Sequence, residues 1–324
     1  MSGSGRVAAR SCAHRVRSPR TVGTRAARVG AVRNRRAGLQ RGSIAGMTRL
    51  RFAYNTNGLA HHRLADAIDL VADLGYDGLA LTPDVPHLDP FTTTPGAVDR
   101  VASHLARRGL AVCVQTGGRF LLDPLRKHQP TLLDPAPEGR AARHDLLVRC
   151  LDIGADLGAR VLAFWSGTAP RPEPRDVLDA RLAAGARRVA DAAQSRGLVA
   201  AFEPEPGMHV ATLAEWTGLR AAVDHPALRL ALDVGHVHCN REGEPAALCT
   251  AHAAELADVQ VEDMREGEHL HLPFGEGTLD VRPVLAALAR NGYEGLVGVE
   301  LSRDSHRAPE VARAAIEHLR RVHP

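Results

Sequence analysis

Eight short apolar runs recur between residues 50 and 301, each followed by a longer segment of helical periodicity, and this alternation limits the folds open to the chain. The runs are "LRFAY" (50–54), "DGLALT" (77–82), "LAVCVQT" (110–116), "ARVLAFW" (159–165), "LVAAFE" (198–203), "LRLALD" (228–233), "LADVQVED" (256–263) and "GLVGVEL" (295–301). Between them, segments such as "HRLADAIDLVADLG" and "EGRAARHDLLVRCLDIGADLG" repeat apolar side chains every three to four residues and tend to stop at a glycine, which suits a helix C-terminus. Continuous apolar strands fit a parallel sheet covered by helices. Eight strand–helix units predict a single α/β domain over 47–324, a (β/α)8 TIM barrel. A doubly wound open sheet is the alternative, but no GxGxxG follows an early strand. The connection over 117–139, after the third run, has the length of loops that cover a site.

Charge separates the first 46 residues from the rest. They hold eleven arginines and no Asp or Glu, whereas the whole chain has 41 Lys and Arg against 37 Asp and Glu. Residues 47–324 are therefore acidic, with 30 basic groups against 37 acidic ones, which argues against nucleic acid as a partner. The segment 1–46 lacks apolar periodicity, carries no apolar secretory stretch, and Arg35-Arg36 precedes no apolar run. It superficially matches an Arg-rich transit peptide, but "MTRLRF" at Met47 reads as the start of the folded part, with a disordered basic tail before it. No run of 18 apolar residues is present, so no membrane span is expected. Five scattered cysteines (Cys12, Cys113, Cys150, Cys239 and Cys249) form no CxxC pair and point to a reducing, cytoplasmic setting.

In such a barrel the chemistry sits at the C-terminal ends of the strands. Read in order, those ends give Asn55 and Asn57, Thr82, Gln115, Trp165, Glu203, Asp233 with His236, Gln260 with Glu262 and Asp263, and Glu300. The last four strands all finish on groups that can bind a metal. Carboxylates with an amide or imidazole make a hard-oxygen site for Mn2+, Mg2+ or a similar divalent ion. Such an ion polarises a carbonyl and acidifies the adjacent C–H, and two flanking glutamates can move the proton. The competing explanation is that each carboxylate only caps the helix that follows it.

The fragments "LGYDGLAL" (74–81), "FEPEPG" (202–207), "LDVGH" (232–236), "VQVEDM" (259–264), "HLPFGEGTLD" (271–280) and "YEGLVGVEL" (293–301), in this order, resemble the xylose-isomerase-like superfamily of sugar-phosphate isomerases and epimerases, over about residues 49–322. The resemblance implies a divalent ion held by Glu203, Asp233, Gln260 and Glu300, with Glu203 and Glu300 as the acid/base pair. It implies substrate or metal contact for His236 and His271. Gln260 departs from the pattern: relatives carry HxKD where this chain has "QVED". An amide oxygen ligates a hard ion but holds zinc more weakly than imidazole does, so Co2+ or Zn2+ ranks behind Mn2+ and Mg2+. His209, six residues past Glu203, and Trp165, at a strand end, are further substrate-binding candidates.

The function expected is a metal-dependent isomerase or epimerase of a sugar, polyol or cyclitol. A dehydratase, a lyase or a non-catalytic binder of the same superfamily is the alternative. An apurinic endonuclease ranks lower, because it needs histidines where Thr82, Gln115 and Gln260 stand. The partner expected is therefore a small-molecule sugar or polyol, with no nucleic acid and no membrane, and a homo-oligomer is compatible with the chain.

Overall fold

The computed structural model describes residues 47–323; the expectation for 1–46 lies outside the described residues. Eight parallel strands close into a barrel: β1 (Arg51–Asn55), β2 (Gly78–Leu81), β3 (Ala111–Gln115), β4 (Val161–Phe164), β5 (Val199–Phe202), β6 (Leu228–Asp233), β7 (Leu256–Val261) and β10 (Leu296–Val299). Neighbours follow chain order, and β1 pairs with β10 to close the ring. Each expected run forms its strand. The seventh is shorter than expected: β7 stops at Val261, and a two-stranded hairpin follows, β8 (Asp263–Arg265) with β9 (Glu268–Leu272).

The helices cover the outside: α1 (Leu64–Asp73), α2 (Pro95–Arg108), α3 (Pro137–Leu157), α4 (Arg175–Gln194), α5 (Leu213–Val223), α6 (Val234–Cys239), α7 (Pro245–Ala251), α8 (Val281–Arg290) and α9 (Ala308–Val322). The glycine stops behave as helix ends. Gly109 and Gly158 follow α2 and α3 at φ 70° and 80°, a left-handed geometry that costs a residue without Cβ little. Among the described residues no helix is long and apolar enough to cross a membrane.

The period-two alternation of the strands sorts the side chains. Phe52, Tyr54, Leu79, Leu81, Phe164 and Phe202 belong to the large core cluster that packs the strands against the helices. The barrel lumen holds small residues, Ala53, Ala80 and Cys113 on one side and Ala163, Ala201 and Ala231 on the other. Two residues past Ala53 and Cys113 the interior turns polar, at Asn55 and Gln115; β7 contributes the buried Asp258 and Gln260, and Gln115 Nε2 reaches back to Asp258 Oδ2 at 2.7 Å. This buried amide layer is the platform on which the strand-end carboxylates stand. Residues 116–136, between β3 and α3, form the long connection without regular secondary structure.

Candidate active site and metal centre

Glu203 follows β5 directly, Asp233 ends β6, Gln260 lies in β7 and Glu300 follows β10, so four consecutive strands of the ring bring the four side chains to one rim. Register places Asp233 opposite Gln260. Asn55 Nδ2 donates to Gln260 Oε1 and to Glu300 Oε2, both at 3.4 Å. Gln260 Nε2 donates to Glu203 Oε1 and to Gln115 Oε1, also at 3.4 Å. Asn57 Nδ2 donates to Glu300 Oε1 at 2.7 Å. The Gln260 amide thus links the two glutamates through Asn55.

Asp233 divides its two oxygens between two roles. Oδ1 accepts the His236 backbone N–H at 3.0 Å and caps α6, whereas Oδ2 is buried with no hydrogen-bond partner among the described residues. His236 sits one turn on, with Nδ1 3.2 Å from Pro204 O and 3.6 Å from Glu203 Oε1. A carbonyl only accepts, so Nδ1 carries the hydrogen and Nε2 presents its lone pair. The hairpin then brings His269 Nε2 to 3.0 Å from His236 Nε2 and His271 Nδ1 to 3.7 Å from Glu262 Oε2. One ligand atom each from Glu203, Asp233 and His236 lie within 4.8 Å of one another, and so do those of Asp233, His271 and Glu300, and of His236, His269 and His271.

The electrostatics match a cation site. Burial, and then the charges of neighbouring carboxylates, push Glu203 well above the usual carboxylate range. Glu262, fully buried, is raised well above it by burial and then by Asp233. Burial also raises Glu300. Burial alone would lower His271, but the charges of Glu300, Glu262 and Asp233 overrule it and hold the ring up at about 10. His236 is pushed down to about 4 by burial, only partly offset by Asp233. Asp233 is within reach of both Glu203 and Glu300, and Asp233 Oδ2, both oxygens of Glu262 and His271 Nδ1 are buried without hydrogen bonds among the described residues, a donor set that fits a divalent ion.

Above this floor lies a cavity of about 580 Å³. It is lined by Glu203, Glu300, Gln260, His236, His269 and His271, and also by Glu205, Trp165, Arg119, Lys127, His128 and Arg303. Glu205 is raised to about 8 by burial and then by Glu300. Trp165 faces the cavity, with the His128 ring 4.8 Å away and the Arg143 guanidinium 5.2 Å from its own ring. His209 does not join this group: its Nε2 sits 2.7 Å from Asp179 Oδ1 on α4, outside the cavity lining.

A family model described as "Xylose isomerase-like TIM barrel" matches residues 68–322. The chain belongs to this family. An inosose dehydratase of Lacticaseibacillus casei is 28% identical over 145 residues, covering 40% of this chain and 48% of that protein. An L-ribulose-5-phosphate 3-epimerase of Salmonella paratyphi C is 23% identical over 177 residues, covering 54% and 62%. The chain spans about half the length of the curated relatives it matches first. In fold it is similar to a D-allulose 3-epimerase of Methylomonas sp., solved with D-allulose, at a TM-score of 0.69 and 21% identity over 87% of this chain and 100% of that one.

Within this xylose isomerase-like barrel the sequence reading missed His269, Arg119, Lys127 and His128. His269 carried a signal: "HLH" at 269–271 puts two imidazoles two residues apart, on one face of a strand. The other three lie on the irregular 116–136 segment, where no periodicity tells which side chains turn inward.

Proposed function

We propose that this chain is a divalent-metal-dependent epimerase or isomerase of a small polyhydroxylated ketone, such as a ketose or cyclitol. The observation that carries the reading is the pair Glu203 and Glu300, raised in pKa and linked through Gln260 and Asn55 at the floor of a cavity wide enough for a sugar. Burial and neighbouring carboxylates raise both carboxyl groups, which makes each a better proton acceptor, and two such groups can pass a proton in and out. Standing on β5 and β10, on either side of β6 and β7, they approach a substrate carbon from two sides: one removes the C–H proton and the other returns a proton to the opposite face. His236 Nε2 and Glu205 face the same space and orient the hydroxyls. A bound divalent ion would supply the positive charge that polarises the substrate carbonyl and acidifies the neighbouring C–H. Glu203, Asp233, Gln260 and Glu300 would hold it through oxygen, which favours Mn2+ or Mg2+, and His271 is the nitrogen donor beside Asp233 and Glu300. The names of the epimerase relatives support the reading.

A dehydratase is the second reading. It is favoured by the inosose dehydratase relatives, and in it the His271 ring, raised by Glu300, Glu262 and Asp233, would give a proton to a leaving hydroxyl instead of ligating the ion. Both reactions begin with the same C–H cleavage. One experiment separates them: the Mn2+-loaded protein in deuterated water with a panel of ketoses and inososes, followed by NMR and mass spectrometry. Deuterium in an intact sugar or its epimer supports the first reading, and loss of water supports the second. Glu203→Gln and Glu300→Gln should each slow exchange about 10²–10⁴-fold. Absence of both exchange and water loss across the panel, with Mn2+ bound, would overturn both.

A further inference from the structure

Among the 41 basic Lys and Arg residues of the chain there is a single lysine, Lys127. It lines the active-site cavity with Arg119 and Arg303. Among the described residues none of these three side chains makes an ion pair or a hydrogen bond, whereas the neighbouring Arg126 is held by Asp123 at 2.6 Å. The segment that carries Lys127 is anchored on both sides. Asp123 Oδ1 accepts the backbone N–H of Leu125 and Arg126. The buried Arg143 of α3 donates to His128 O at 2.6 Å and to Pro130 O at 2.9 Å, and Gln129 Nε2 donates to Thr168 O at 3.2 Å. Lys127 and Arg119 come from the 116–136 segment and Arg303 follows β10, so the three cations stand past the strand ends that carry Glu203 and Glu300. Lys127 acts on Glu205 and His269, Arg119 on Glu300, and Arg303 on His269, yet no floor carboxylate pairs with any of them.

We propose that Lys127, Arg119 and Arg303 form an oxyanion subsite for a phosphate or carboxylate carried at the far end of the substrate, with Lys127 as the specificity-determining residue. Three unpaired cations above an acidic floor sort a two-ended molecule: polyol and ketone go down, anion goes up. An ammonium is a compact point charge that follows an oxyanion without the fixed fork of a guanidinium, which gives a chain otherwise built on arginine a use for one lysine. The placement of the substrate rests on the epimerase reading, but the subsite is tested without turnover.

Because Lys127 is the only side-chain amine, trinitrobenzenesulfonate labels it and the chain's terminal amine, and peptide mapping separates the two. With full-length Mn2+-loaded protein, inorganic phosphate and acetate are each titrated against sodium chloride of equal ionic strength, which controls for screening. Saturable protection of Lys127 by phosphate alone assigns a phosphoryl group, and equal protection by acetate assigns a carboxylate. The Arg119→Gln, Arg303→Gln double variant should weaken the protecting anion about tenfold. Protection no better than that by chloride, or unchanged in the double variant, would overturn the subsite. Protection that persists in a protein showing no C–H exchange supports the subsite even as the epimerase reading fails.

Discussion

Asp233 shows why one residue satisfies two readings of its sequence position. As the last residue of β6 it is placed to cap α6, and Oδ1 does so; the cap fixes the side chain and leaves Oδ2 aimed at the floor. Gln260 is the residue whose chemistry is most open to test. It offers a neutral oxygen between two glutamates, so Gln260→His should shift preference from Mn2+ or Mg2+ toward Co2+ or Zn2+ by about tenfold, or ~1.4 kcal/mol. Competition titration of Mg2+ against Zn2+ on both proteins measures the shift, and an unchanged preference would remove Gln260 from the ligand set. The rim positions of Glu203, Asp233 and Glu300 were legible because each stands at the end of an apolar run, and Gln260 because it interrupts one within β7. His209 was misleading for a physical reason: a loop offers no period, and the nearest charge, Asp179 on α4, drew the ring away.

At the scale of elements, the strands were legible because each is buried on both faces and reads as an unbroken apolar run. The β8–β9 hairpin was not, because "MREGEHLHL" is half exposed and mostly polar. Its packing leaves a sharp constraint at Gly235 of α6, where an added Cβ would overlap Glu262 Oε1 and come within 2.8 Å of Met264 Cε. Gly235→Ala should cost about 1–3 kcal/mol in urea unfolding, and Glu262→Ala added to it should restore most of that. If the single variant is as stable as the parent, Glu262 is not wedged there. The 116–136 connection carries a pH response. His128 is pushed down to about 4, by burial first and then by Lys127, Arg143 and Arg119, whereas an unperturbed histidine titrates at 6.5. Between these values the opened segment binds a proton that the closed one does not. Its stability is therefore complete above 6.5 and falls as the pH drops toward 4. Hydrogen exchange over 117–136, corrected for intrinsic rates, should show less protection at pH 5 than at pH 7 in the parent. In His128→Asn the difference should shrink, and an equal difference in both proteins would assign the response to another group.

At the scale of the whole molecule, the barrel concentrates like charge at one end. Mostly small side chains line the lumen, buried amides follow, and among the described residues the buried carboxylates at the rim make no ion pair with a Lys or Arg. Such an arrangement is unfavourable in the metal-free protein and becomes favourable when a divalent ion binds the native state alone. Global stability therefore reports directly on the site. The decisive measurement is thermal unfolding with and without Mn2+, in the parent and in Asp233→Ala. At about 100 times the dissociation constant the ion should add ~2.7 kcal/mol to the parent, a rise of roughly 5 °C in Tm for a domain of this size. Asp233→Ala should unfold cooperatively near the metal-free parent and show no rise. A parent whose Tm ignores saturating Mn2+ and Mg2+, or an Asp233→Ala protein that gains as much as the parent, would contradict the metal centre on which the catalytic account stands.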